Sequence, residues 1–189
     1  MAQTLDPDRM ALREALLAHV PVDAAEERHR TVLLALVTNV PECFSRTHYT
    51  PGHITGSAFV VDPAKNRVLL HFHKRLARWL QMGGHDDGER SAKKTALREA
   101  KEESGLTEIR FLSEEILDVD VHPIPEWKTE PAHHHHDVRY ALFTVTPQLV
   151  KKQDAESEDL AWFPFAEARQ KMNEPGADRV LQRLSRMLR

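Results

Sequence analysis

The chain has a single cysteine, Cys43, in 189 residues. One thiol closes no internal disulfide and excludes zinc sites built on paired cysteines, so a reducing, cytoplasmic setting is the default expectation. Long apolar runs are missing too: nothing approaches the roughly 18 residues that span a bilayer. The opening MAQTLDPDRM carries acids and no apolar h-region, so no secretory signal and no membrane partner are expected. Excess charge of either sign is also absent. Lys and Arg number 26 against 29 Asp and Glu, a net charge of -3, which gives no bulk-charge case for a nucleic-acid polymer as partner. No repeat of fixed period occurs. What is present suits an ordinary globular chain, 41% apolar and 29% charged, long enough for one domain with an extension.

Residues 6–18 read as a helix, with Asp6 as N-cap and Pro7 just inside it. Pro21 interrupts. A second helix covers about 22–39, with Val32, Leu33, Leu36 and Val37 at helical spacing, and Pro41 ends it. From His53 the pattern becomes one of strands: a hairpin over 54–74 turning at PAKN, then a short strand RWLQM. A helix follows over 91–104, then one long or two short strands within 107–121, and a loop marked by Pro123 and Pro125. A strand at 138–146, a short strand running into a helix at 159–165, and an amphipathic helix from about 176 complete the chain. Strands interspersed with helices, without regular βα alternation, predict an α/β fold of the α+β kind, a mixed sheet with helices packed on it. Residues 1–50 read as an N-terminal helical extension packed on the core, and 51–189 as the main domain.

The chemistry concentrates in GGHDDGERSAKKTALREAKEESGL, residues 83–106. Glu99, Glu102 and Glu103 stand at i, i+3 and i+4, which puts three carboxylates on one face of a helix. Ala92, Ala96 and Ala100 form a neighbouring stripe small enough to lie close against a sheet. Like charges so placed repel, and a divalent cation resolves the repulsion: Mg²⁺ takes oxygen ligands and bridges carboxylates to substrate phosphates. Gly83, Gly84 and Gly88 allow close backbone approach before the helix, Ser91 can cap its start, and Gly105 suits its end.

This stretch resembles the Nudix box. Gly84, Arg98-Glu99, Ala100, Glu102-Glu103, Gly105 and Leu106 fall in the register of that family's pattern. The resemblance implies a Nudix-like mixed sheet sandwiched between helices. It implies hydrolysis of a nucleoside diphosphate linked to another moiety, with Mg²⁺ or Mn²⁺ as cofactor. It implies Glu99, Glu102 and Glu103 as catalytic metal ligands, a structural and metal-proximal role for Gly84, and Arg98 orienting a carboxylate. One position departs: the first Glu of the pattern is Arg90, and Glu89 comes one residue early. Either Glu89 takes that place after a loop adjustment, or Arg98 pairs with Asp86 or Asp87, or the site is weakened. A nucleotide sugar, ADP-ribose or a modified nucleotide all remain open as the small-molecule partner.

Twelve histidines are many for this length. On an extended segment His133 and His135 share one face, and His134 and His136 the other. Imidazole suits Zn, Ni, Cu or Fe, so a second, softer metal site is one reading; phosphate or base recognition by His85 or His135 is another, and plain loop histidines a third. Trp127, in a Pro-flanked loop, and Trp79 could stack on a base. Arg139 could line the pocket or be paired structurally. Lys93 and Lys94 read as a surface pair or as attraction for phosphates. Glu156 and Glu158 are candidates for a further metal ligand or general base. Two rival functions stand beside the hydrolase: a Nudix-like isomerase, which needs a cysteine near its substrate, and a non-catalytic nucleotide-ligand sensor. The N-terminal helices and the apolar stripe of the last helix fit internal packing or a homodimer interface.

Overall fold

The computed structural model describes residues 5–151 and 157–189. Helix α1 (Pro7–Ala18) starts where Asp6 accepts the Arg9 amide at 3.1 Å, and α2 (Ala24–Asn39) where Asp23 accepts that of Glu26 at 2.8 Å. Each cap satisfies an amide that the helix itself cannot. Strands β1 (His53–Asp62) and β2 (Arg67–His73) form the expected hairpin, and RWLQM splits into β3 (Arg78–Leu80) and β4 (Met82–His85). Helix α3 (Ala92–Ser104) follows, capped by Ser91 and closed by Gly105 at φ 66°. The 107–121 segment is two strands, β5 (Ile109–Phe111) and β6 (Asp118–Ile124). Then come β7 (His133–Thr144), β8 (Ser157–Pro164), α4 (Phe165–Met172) and α5 (Pro175–Met187).

The strands make one mixed sheet along β3-β2-β1-β7-β5, with β4 also on β1, β6 on β7 and β8 on β2. The β1–β7 pair runs parallel and the other pairs antiparallel. All ten residues of β1 are buried, because both faces of the sheet are covered. Ala58 and Val60 face a core shared with Leu16, Leu33 and Ala96 of α1, α2 and α3. Phe59 and Val61 face a second core with Met172, Val180 and Leu184 of α4 and α5. The apolar stripe of α5 is therefore spent inside the molecule.

The alanine stripe of α3 lies directly on β1. A Cβ on Gly56 would stand 2.2 Å from the Ala92 carbonyl oxygen, so the glycine sets how near helix and strand come. The first two helices are tied down by charge: Arg183 Nη2 donates to Glu26 at 3.1 Å, Arg179 pairs with Asp23 at 3.3 Å, and Arg90 reaches Asp6 and Asp8 at 2.9 Å each. Among the described residues no helix is long and apolar enough to cross a membrane.

Two local expectations are corrected. The strand at 138–146 begins at His133, because the histidines pair with both β1 and β6 and cross-strand pairing overrides their weak strand signal. Pro123 lies inside β6, paired opposite His134, and not in a loop. Among the described residues this strand pairs only with β7, and proline's missing donor is tolerated at such an edge.

Candidate active site

Strands β1, β4 and β7, helix α3 and the loop between β6 and β7 enclose a cleft of about 1150 Å³. The box places its carboxylates along one wall. Glu102 is more than half exposed, Glu99 is mostly covered, and Glu103 is buried, so three neighbouring acids meet three environments. Burial pushes the Glu99 carboxyl up to about 7 in spite of the adjacent Arg98 guanidinium. A Cβ on Gly84 would meet Glu99 Oε1 at 2.3 Å, so the glycine is what lets this carboxylate rest against β4. Glu103 Oε2 accepts the Gly83 amide at 2.8 Å, and its other oxygen lies 3.4 Å from His71 Nδ1. That bond fixes α3 to β4 at the point where the glycines pass.

Arg98 organises the cluster. Its Nη1 donates to Glu99 Oε1 and Glu102 Oε2, both at 2.9 Å, and its Nη2 to the His85 carbonyl at 2.8 Å. Its Nε reaches Glu89 Oε2 at 3.2 Å, and Thr95 Oγ1 donates to the same oxygen at 3.1 Å. Glu89 thus occupies the place opened by the box departure, and the Asp87 carboxylate stands beside it as a longer pairing, 3.8 Å from Arg98 Nη2. Arg90 adopts φ 52°, turns its side chain to the Asp6 and Asp8 carboxylates, and packs over Phe44 at 5.3 Å. The one-residue shift is absorbed by a left-handed residue in the loop, and the arginine–glutamate pairing is kept.

His85, His135 and Trp127 also line the cleft. Trp127 is about half exposed, with the Arg75 guanidinium 5.1 Å from its ring centre. Burial lowers His85 to about 3 and depresses His135 well below the usual imidazole range, so both rings are neutral at pH 7. Arg139 is not brought to the cleft. It is 1% exposed and donates to Asp137 at 2.9 Å, Asp120 at 3.1 Å and Asp118 at 3.3 Å, so its place as a substrate contact is corrected to a buried hub of ion pairs. Trp79 packs edge-on against Phe163 at 4.8 Å, in the core. Lys93 and Lys94 line a different hollow, of about 820 Å³, and Lys93 pairs with Glu114. Glu158 is an exposed residue of β8, and Glu156 lies outside the described residues. Cys43 is fully buried, away from the cleft lining, with its thiol pushed up to about 11.

The cleft also holds groups that sequence reading did not single out. Arg46, Lys74 and Arg75 add positive charge to its lining. Asp137 lies at its inner end, fully buried, accepting the hydroxyls of Ser57 at 2.7 Å and Thr55 at 3.0 Å. Lys74-Arg75 was visible as a basic pair, but such pairs are common at hairpin tips. Nothing local marks Arg46 or Asp137.

The family profile described as NUDIX domain matches residues 53–184. No curated protein sequence matches the chain. Among solved structures, a C. elegans Ap4A hydrolase binary complex is similar at TM-score 0.51 and 16% identity, covering 71% of this chain and 96% of that one. The MutT protein from Methanosarcina mazei Go1 gives TM-score 0.54 and 19% identity over 70% of this chain and 92% of its own. The NUDIX domain of Shewanella oneidensis NrtR, complexed with ADP ribose, gives 0.50 and 20% over 72% and 88%. The chain belongs to the Nudix family of pyrophosphate-bond hydrolases.

Proposed function

We propose that the cleft hydrolyses the diphosphate of a nucleoside diphosphate derivative, with Mg²⁺ or Mn²⁺ held by Glu99, Glu102 and Glu103 beside Gly84. The observation that carries this reading is the Glu99 carboxyl, mostly covered and seated against the Gly84 backbone in a cleft with arginines and lysines in its lining. An all-oxygen donor set of this kind fits a hard divalent ion. When bound, such an ion supplies charge neutralisation at the phosphates and acidifies water.

The chain's own residues do the rest. Arg98 holds Glu99 and Glu102 in one arrangement, and Glu89 and the His85 carbonyl hold Arg98. Glu103, anchored on the Gly83 amide, keeps the helix and β4 in register. Arg46 and Arg75 attract an anionic substrate into the cleft. The exposed Trp127 ring offers a stacking face for a base, and His85 and His135 are surfaces for the remainder of the molecule. The nucleotide ligands named for the similar structures, Ap4A and ADP ribose, support this substrate class.

The test is a panel of nucleoside diphosphate derivatives, including ADP-ribose and Ap4A, incubated with the protein and Mg²⁺ or Mn²⁺. Released phosphate is followed after phosphatase coupling, beside Glu102→Gln. Turnover of one compound, reduced by roughly 100-fold or more in the variant, is expected. Tight ligand binding with no turnover of any compound would instead favour the non-catalytic sensor.

A further inference from the structure

A second cluster lies beside the carboxylates and is chemically unlike them. Register puts it together: His135 pairs opposite His53 across β1–β7 and opposite His122 across β7–β6, while His85 pairs opposite Thr55, two residues along from His53. With a period of two, His53, His85, His133 and His135 point to one face of the sheet. One ring nitrogen from each of His53, His85 and His135 lies within 4.8 Å of the other two. The His53 ring centre is 5.0 Å from those of both His133 and His135.

The hydrogen bonds fix the tautomers. His53 Nδ1 lies 3.2 Å from the His48 carbonyl, which can only accept, so Nδ1 carries the proton and Nε2 the lone pair. That Nε2 is buried and has no hydrogen-bond partner among the described residues, on a side chain 1% exposed. His133 repeats the arrangement: Nδ1 bonds the Pro131 carbonyl at 2.7 Å, and Nε2 is buried without a partner. A ring nitrogen pinned on a backbone carbonyl with its opposite lone pair left over is the usual preparation of a histidine ligand. His85 Nε2 and His135 Nε2 stand 3.2 Å apart. Nitrogens about 2.0–2.1 Å from a tetrahedral zinc are about 3.3 Å from one another, so this pair is already spaced for it.

The geometry points to a second metal site at His53, His85 and His135, for a borderline transition ion of the Zn²⁺ class, distinct from the carboxylate cluster. Its donors are all imidazole nitrogens, which prefer Zn²⁺, Ni²⁺ or Cu²⁺ to Mg²⁺. His53 is buried, and His85 and His135 are partly covered. The His133 ring lies beside the three, its centre 5.0 Å from that of His53 and 5.2 Å from that of His135. The site is not isolated from the box, since His85 follows Gly84 and its carbonyl holds Arg98. An ion on His85 would therefore stiffen the strand against which Glu99 rests. This inference stands independently of the pyrophosphatase reading.

The test uses the full-length protein without a polyhistidine tag, stripped with chelator and kept in excess Mg²⁺. Titration with Zn²⁺ by calorimetry, and with Co²⁺ by visible absorption, should show one equivalent per chain. His53→Ala and His135→Ala should each weaken binding by about 100-fold or more, while Glu102→Gln leaves it unchanged. No stoichiometric binding would overturn the site, as would loss in Glu102→Gln with retention in both histidine variants. Should the variants fail to fold, imidazole ¹⁵N spectra of the unaltered protein decide: Zn²⁺ must shift the side-chain nitrogens of His53, His85 and His135, and unmoved resonances refute the proposal.

Discussion

At Arg98 one guanidinium serves Glu89, Glu99, Glu102 and a backbone carbonyl, so the cluster is held by an arginine whose own position depends on Glu89. Replacing Glu89 by Gln should weaken Mg²⁺ affinity by roughly 10–100-fold, the usual effect of losing an outer-shell partner, with little change in the unfolding midpoint. Arg90→Ala should leave Mg²⁺ affinity unchanged and lower stability by no more than about 1 kcal/mol, since its ion pairs are exposed. Calorimetric titration of the two variants side by side checks both. The Glu99 carboxyl gives a pH dependence. Its folded value of about 7 lies above the ordinary 4.5, so the folded state holds this proton more tightly and loses stability as pH rises through that window. A divalent ion held there, as proposed above, would bind the ionised form and relieve the loss. The rise in melting temperature on adding Mg²⁺ should therefore grow from about pH 6 to about pH 8, and Glu99→Gln should abolish that growth.

The element that matters most is α3, and its placement depends on Gly56 as much as on its own sequence. An added Cβ there would meet the Ala92 carbonyl oxygen at 2.2 Å and the Ala96 nitrogen at 3.0 Å, both backbone atoms that cannot swing aside. Gly56→Ala should destabilise the protein by about 3 kcal/mol, at the upper end of overpacking penalties, and weaken Mg²⁺ affinity because α3 is lifted from β4. Urea unfolding with parallel Mg²⁺ titration measures both. The helix itself was legible: an N-cap serine, a small-residue stripe, an acidic face and a terminal glycine are all local signals. The strand formed by the histidine run was not. His-His-His-His carries no β-branched pattern, and its strand character comes from β1 and β6 on either side.

Across the whole molecule, buried charge ties the helices and the sheet together. Arg139 lies among Asp118, Asp120 and Asp137, and Arg179 and Arg183 carry the network from Asp118 to Asp23 and Glu26. Arg139→Ala should cost 3–5 kcal/mol, the range for removing one partner from a buried ion pair, read as a fall in the denaturant midpoint. Glu26 adds an acid sensitivity. Its carboxyl, held down to about 2 by His19 and Arg183 against the effect of burial, contributes stability that is complete above about 4.5 and lost as pH falls toward 2. Acid titration of the fold should show Arg183→Ala losing structure at a higher pH than the unaltered chain.

The sequence by itself determined most of the elements, the mixed sheet with its helices, and the carboxylate face of α3, because i, i+3, i+4 geometry and capping are local properties of a chain. Glu89, Arg90 and Arg139 were only alternatives there. Tertiary structure decided that Glu89 holds Arg98 while Arg90 turns to α1, that Glu99 is the carboxyl deprived of water, and that Arg139 is buried away from the cleft. It also decided that His53, His85 and His135, the first and last of them 82 positions apart along the chain, converge at one point. Burial and cross-strand register depend on residues distant along the chain, and no local pattern encodes them.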